Sequence, residues 1–147
     1  MSTMTAARAN TDRNPSSAQI EAGNYKKGKL TWNGLVIRLE NPKGSMRRGV
    51  DKSGHVWQTK MTADYGYVAG SEGRDAEPVD VFVGDKRESE LVFVVDQVHP
   101  GSGRFDEVKT ILCTDSEEEA TKLYLNNYPR GWRGMGSVTA ATVEQFK

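Results

Sequence analysis

The apolar positions change period several times along the chain, and each change marks an element. Leu30-Thr31-Trp32 and Leu35 to Leu39 flank Asn33-Gly34, and Asn-Gly between two apolar runs is the strongest short-range signal for a two-residue hairpin. Asn41 to Gly54 is polar and carries Pro42, Gly44 and Gly49, which reads as a loop around a short strand, and His55 to Met61 is β-like again. Val79 to Val83 and Leu91 to Val98 are nearly continuous valine-rich runs, the pattern of central strands. Glu107 to Cys113 supplies one more strand. Ser116, with Glu119 three residues on, forms a capping box. Glu117, Glu118 and Glu119 suit the positive end of a helix dipole. Ala120, Leu123, Tyr124 and Asn127 follow at helical spacing until Pro129. Gly131, Gly134 and Gly136 predict a loop, and Thr142 to Phe146 a last short helix. Residues 1–22, rich in Ser, Thr, Ala and Asn, lack aromatics and any period. They predict a mobile tail, or a docking arm that orders on a partner, ahead of a domain at 23–147. Strands followed by a helix imply an α+β, mainly β domain: a small curved sheet or barrel with one clear helix outside.

Composition narrows the class. The chain has 147 residues, room for a single domain. No apolar run approaches the roughly 18 residues of a membrane span, and the first residues lack an apolar signal core, so the expected setting is cytoplasmic. One cysteine, Cys113, permits no intrachain disulfide. Lys and Arg balance Asp and Glu at twenty each, which disfavours a general polyanion binder. Aromatic-basic interleaving is confined to residues 25–38, so there is no strong nucleic-acid signal. The balance conceals a pattern: residues 25–60 hold nine bases against two acids, and residues 61–107 hold eleven acids against four bases. Two readings stay open. One is a solvated surface; the other is a cleft where carboxylates hold divalent cations and bases hold a phosphate-bearing anion.

Asp75, Glu77 and Asp80 fall within six residues, at the mouth of an apolar strand. Asp75 and Glu77 share a face in extended chain, and Pro78 interrupts the alternation so that Asp80 can join them. Three converging carboxylates repel by several kcal/mol at an effective dielectric near 20. A hard cation relieves that repulsion; an idle acidic turn is the alternative. His55 and His99 belong to no ligand cluster, Cys113 reads as a small buried hydrophobe, and Trp32 and Trp57 read as core. Tyr65 and Tyr67 alternate about Gly66 and face one side. The glycines at 131–136 lack the Lys-Ser/Thr of a phosphate-binding loop.

Tyr65-Gly66-Tyr67, followed by Asp75-Ala76-Glu77-Pro78-Val79-Asp80-Val81, resembles the signature of soluble family I inorganic pyrophosphatases. The run Glu40 to Ser45, the segments at 79–84 and 92–98, Phe105-Asp106-Glu107 and Gly131-Trp132 make the chain similar to the short pyrophosphatase-like domains of bacteriophages and mobile elements. The resemblance covers residues 23–147. It implies Mg²⁺, with Mn²⁺ as an alternative, held by Asp75, Glu77, Asp80, Asp106 and Glu107. It also implies that Glu77 helps deprotonate the attacking water, that Tyr65 and Lys109 bind phosphate, and that Arg47 and Lys60 bear on the pyrophosphate. Lys43, Arg48 and Arg133 are further candidates for the substrate's charge, Trp132-Arg133 standing for a late Tyr-Lys pair. Ala76 replaces a glycine of the metal loop, Glu77 an Asp, and Gly49 a Glu. His99-Pro100-Gly101 lies where another acid is expected. The implied activity is Mg²⁺-dependent hydrolysis of pyrophosphate or another phosphoanhydride by a phage-encoded enzyme. The alternative is a pyrophosphatase-fold binding or virion component that docks or self-associates through residues 1–22.

Overall fold

A computed structural model describes residues 3–50, 53–70 and 78–146. The sheet opens with two antiparallel strands, β1 (Gly28–Trp32) and β2 (Leu35–Asn41). They pair from Gly28↔Leu39 to Trp32↔Leu35, so the loop is Asn33-Gly34 alone, both at positive φ (48° and 84°), as the right-handed twist of a hairpin requires. The chain then makes a separate two-stranded ribbon from β3 (Met46–Val50) and β4 (Val56–Lys60), and continues into β5 (Asp64–Val68) and β6 (Asp80–Val83). β7 (Leu91–Val98), β8 (Phe105–Leu112) and β9 (Met135–Thr142) complete a seven-stranded sheet in the order β1-β2-β5-β6-β8-β7-β9. Every neighbouring pair is antiparallel except β6 and β8, which run parallel. Among the described residues β1 and β9 remain the two sheet edges. The fold is therefore a curved mixed sheet of the α+β class and not a closed barrel.

Alternation along the strands gives the sheet two apolar faces. Leu30, Trp32, Ile37, Leu39, Val81, Val83, Val92 and Leu112 form one, covered by Met4 and Ala7 from the N-terminal segment and by Val143 near the C-terminus. Tyr65, Phe82, Phe93, Val95 and Ile111 form the other, covered by Ala120 and Tyr124. These last two lie on the helix Glu117–Leu125. Its Ser116 cap accepts from the Glu119 N–H at 3.1 Å, whereas Glu119 Oε1 takes the N–H of Asp115, one residue before the cap. Among the described residues no helix is long and apolar enough to cross a membrane.

Three expectations change. Residues 135–142 form strand β9 where the glycines predicted a loop. Leu91–Val95 offers a ladder of unpaired backbone groups, and pairing from Leu91↔Thr142 to Val95↔Val138 outweighs weak strand propensity. Trp57 is half-buried on the ribbon, not in the core. Residues 1–22 are not a free tail in their described part. Helix α1 (Thr3–Ala9) buries Met4 and Ala7 against β1. Its Arg8 clasps the carboxylate of Asp64 through Nε at 3.0 Å and Nη2 at 2.7 Å. Thr11 Oγ1 accepts from the Gly28 N–H at 2.9 Å. A second helix, α2 (Ser17–Ala22), begins in a capping box between Ser16 and Gln19 and ends at Gly23 in the left-handed region. The helix Glu117–Leu125 is accordingly α3, and α4 (Val143–Phe146) closes the chain as expected.

Asp64 is 1% exposed, its partners being Arg8 and the Lys43 N–H at 2.8 Å. Removing one member of a buried pair leaves an uncompensated charge. Arg8→Ala should lower unfolding stability by about 3 kcal/mol in urea titrations; an unchanged midpoint would mean that α1 is not docked. Cys113 is fully buried, and burial pushes its thiol up to about 12. It should resist thiol reagents at pH 8 in the folded protein and react only in denaturant.

Candidate functional site

One end of the face covered by α3 is polar, and the strand register explains why. Asp80 on β6 is the lateral partner of Lys109 on parallel β8 and of Tyr67 on β5. Glu107 precedes Lys109 by two residues and so shares its face. Tyr65 precedes Tyr67 in the same way, because Gly66 lies between them. A Cβ at Gly66 would come within 1.9 Å of the Arg38 carbonyl oxygen, so the close approach of β2 demands glycine there. The same alternation on β2 turns Ile37 and Leu39 to the opposite core and leaves Glu40 on the polar side.

Lys109 is the centre of this arrangement. Its side chain is 3% exposed. Nζ donates to the Tyr65 hydroxyl at 2.7 Å and to Asp80 Oδ2 at 2.9 Å, and it forms a third contact with Glu107 Oε1. Burial works against the ammonium charge, but Tyr65 and Asp80 outweigh it and hold the pKa well above the ordinary lysine range. Arg47 reaches the same hydroxyl at 3.3 Å from Nη2, its guanidinium stacked 4.4 Å from the Tyr65 ring and 5.1 Å from that of Trp57. The Trp57 ring in turn lies across Gly49, where a Cβ would stand 2.4 Å from it. Burial raises the Tyr65 pKa although Lys109 and Arg47 pull it down. Burial and then Asp80 raise that of Glu40, and burial and then Glu40 raise that of Tyr25.

These groups line a cleft of about 300 Å³ together with Asn41, Met46, Arg48, Pro15 and Ile20. An adjoining hollow of about 360 Å³ shares Glu40, Asp80 and Glu107 and is bordered by Tyr67, Lys27 and Pro78. Cationic side chains thus face one side of an acidic wall.

Of the residues expected from the sequence, Tyr65, Asp80, Glu107, Lys109, Arg47 and Arg48 come together. Four do not. Lys43 is exposed and lies 4.0 Å from Asp85, while its backbone serves Asp64. Lys60 and Arg133 are exposed and outside the cleft lining. Asp106 is the extra residue of a β-bulge, since Gln97 pairs with Glu107 and Val98 with Phe105. It accepts from Gln97 Nε2 at 3.3 Å and lies 3.6 Å from His99. Asp75 and Glu77 lie outside the described residues. The sequence reading missed Glu40 and Tyr25. The available signal was the polar phase of β2, where Arg38 and Glu40 alternate with Ile37 and Leu39.

Among the described residues no three His, Cys, Asp or Glu side chains gather as a metal site. The chemistry of the carboxylates suits a hard cation: Asp80 and Glu107 converge on one ammonium, and Glu40 beside them is pushed above its usual carboxyl range first by burial and then by Asp80.

Tyr65→Phe should cost about 1–3 kcal/mol in thermal or urea unfolding, because Lys109 and Arg47 both lose their phenolic acceptor. A neutral result would show that the hydroxyl is not the anchor of the cationic pair.

Compared with known families, residues 17–147 match inorganic pyrophosphatase. Neither curated proteins nor solved structures give a significant match.

Proposed function

The chain belongs to the inorganic pyrophosphatase family, and on that premise we propose that it hydrolyses inorganic pyrophosphate to phosphate with Mg²⁺. The observation that carries the reading is the buried Lys109 ammonium beside Arg47, both on the Tyr65 hydroxyl, with Asp80 and Glu107 against the same ammonium. Arg47, Arg48 and Lys109 take the phosphoryl oxygens and neutralise the charge that builds on the leaving phosphate. Tyr65 keeps Lys109 and Arg47 apart at a fixed spacing and donates its own proton to a phosphate oxygen. Asp80 and Glu107, with Asp75 and Glu77 of the preceding segment, would hold the cation. Held there, Mg²⁺ would offset negative charge on the phosphoryl oxygens and lower the pKa of a water. A water oxygen forms the new P–O bond as the bridging P–O bond breaks, giving two phosphates, and Glu77 takes the water's proton. Phosphoryl transfer asks for little beyond such positioning and electrostatics. The setting of this reading is cytoplasmic and phage-encoded, where removal of pyrophosphate draws nucleotide polymerisation forward.

A second reading rests on Asp106, which is engaged by Gln97 and His99 rather than by the cleft. With one acid of the implied set turned aside, the protein would bind phosphate and metal without turnover. It would serve as a binding or virion component through residues 1–22.

Phosphate release from pyrophosphate with Mg²⁺ or Mn²⁺ decides between them. The enzyme reading expects metal-dependent release that falls by about a hundredfold or more in Asp80→Asn. No release from folded wild-type protein with either metal would leave the second reading.

A further inference from the structure

Arg47 and Arg48 are consecutive on β3, and alternation sends them to opposite faces of the ribbon. Arg47 is drawn in by the rings of Tyr65 and Trp57. Arg48 is paired across the ribbon with Gln58, yet it lines the same cleft. What holds it there is the segment joining α1 to α2. Arg48 Nη2 donates to Asn14 Oδ1 and to the carbonyl of Pro15, both at 3.1 Å. Pro15 is itself buried and forms part of the cleft wall with Ile20 of α2.

The segment is fixed at every step. The Asp12 N–H donates to the Lys26 carbonyl at 2.9 Å, the Asn14 N–H to Asp12 Oδ1 at 3.0 Å, and Arg13 Nη2 to the Lys43 carbonyl at 2.9 Å. The Ser16–Gln19 capping box starts α2 immediately after Pro15. Both acceptors for Arg48 are therefore presented by an ordered backbone. Nη2 meets both acceptors, Nε is buried with no acceptor among the described residues, and the half-buried guanidinium otherwise faces the cleft it lines.

We infer that Asn14 is a positioning residue for the diphosphate. Together with the Pro15 carbonyl it holds the Arg48 guanidinium at the cleft, so that the remaining donors meet a phosphate oxygen without first being ordered. This rests on the pyrophosphatase reading and extends the site into a segment that the sequence placed outside the domain. Ordering a long side chain in advance removes a cost that binding would otherwise carry. The benefit should appear in substrate affinity more than in turnover.

The test is a double-mutant cycle on pyrophosphate, with KM and kcat for the wild type, Asn14→Ala, Arg48→Ala and the double variant. Calorimetric pyrophosphate affinity and Tm are measured on each. Asn14 is exposed, so Tm should hold. Asn14→Ala should raise KM about three- to tenfold with kcat within about twofold, and should add nothing once Arg48 is gone. An unchanged KM overturns the inference, as does an effect that persists undiminished in the Arg48→Ala background or a loss confined to kcat. A wild-type protein that neither hydrolyses nor binds pyrophosphate overturns the functional reading and this inference with it. One that hydrolyses while Asn14→Ala keeps its KM overturns this inference alone.

Discussion

The ammonium of Lys109 is buried, and a buried charge is tolerable only with partners that satisfy its donors. Asp80, Glu107 and the Tyr65 hydroxyl do so here, and each owes its place to strand register. Parallel pairing of β6 with β8 sets Asp80 beside Lys109, the two-residue period of β8 brings Glu107 to the same face, and β5 carries Tyr65. A shift of one residue in any of these pairings would turn a partner to the opposite core. The apolar layers on both faces thus enforce the polar geometry, since Val81 and Val83 cannot stay in one core unless Asp80 and Phe82 face the other.

The opposite layer depends on a second buried charge. Asp64 sits at the start of β5, one residue before Tyr65, and Arg8 reaches it from α1. The same strand therefore carries the ion pair that anchors the N-terminal segment on one face and the hydroxyl that anchors the cations on the other. The segment beyond α1 crosses to the cleft, where Pro15 and Ile20 form wall.

Much of this was legible in the sequence. Valine runs announced β6 and β7, Asn33-Gly34 announced its hairpin, and Ser116 announced α3, because each signal is local and strong. β9 was not legible: Gly136, Ser137, Ala140 and Ala141 carry little strand propensity, and the ladder of β7 decides their conformation from a distance. Helix α1 was missed because seven residues, five of them Thr or Ala, show no period, and its anchor is Asp64, 56 positions from Arg8. Of the residues that motif resemblance named, Tyr65, Asp80, Glu107 and Lys109 lie together because β5, β6 and β8 keep their register there. The resemblance named Asp106 with them, whereas a bulge that leaves no sequence mark sets that residue against Gln97 and His99; composition in turn read Trp57 as core, because an indole packed on Gly49 at a cleft wall has the same composition as a buried one.

The parallel seam between β6 and β8 also orders events in time. On one side of it, β1, β2, β5 and β6 pair antiparallel in chain order; on the other, β8, β7 and β9 form their own antiparallel set. β1 with β2, β5 with β6 and β7 with β8 can zip from neighbours close in sequence, whereas the seam joins residues such as Asp80 and Lys109 only after β7 has been passed, and such non-local pairings close late. Asp80 belongs to one half and Lys109 to the other. A chain emerging from synthesis therefore carries its carboxylate long before the ammonium that answers it, and the cleft comes into being only when the two halves meet.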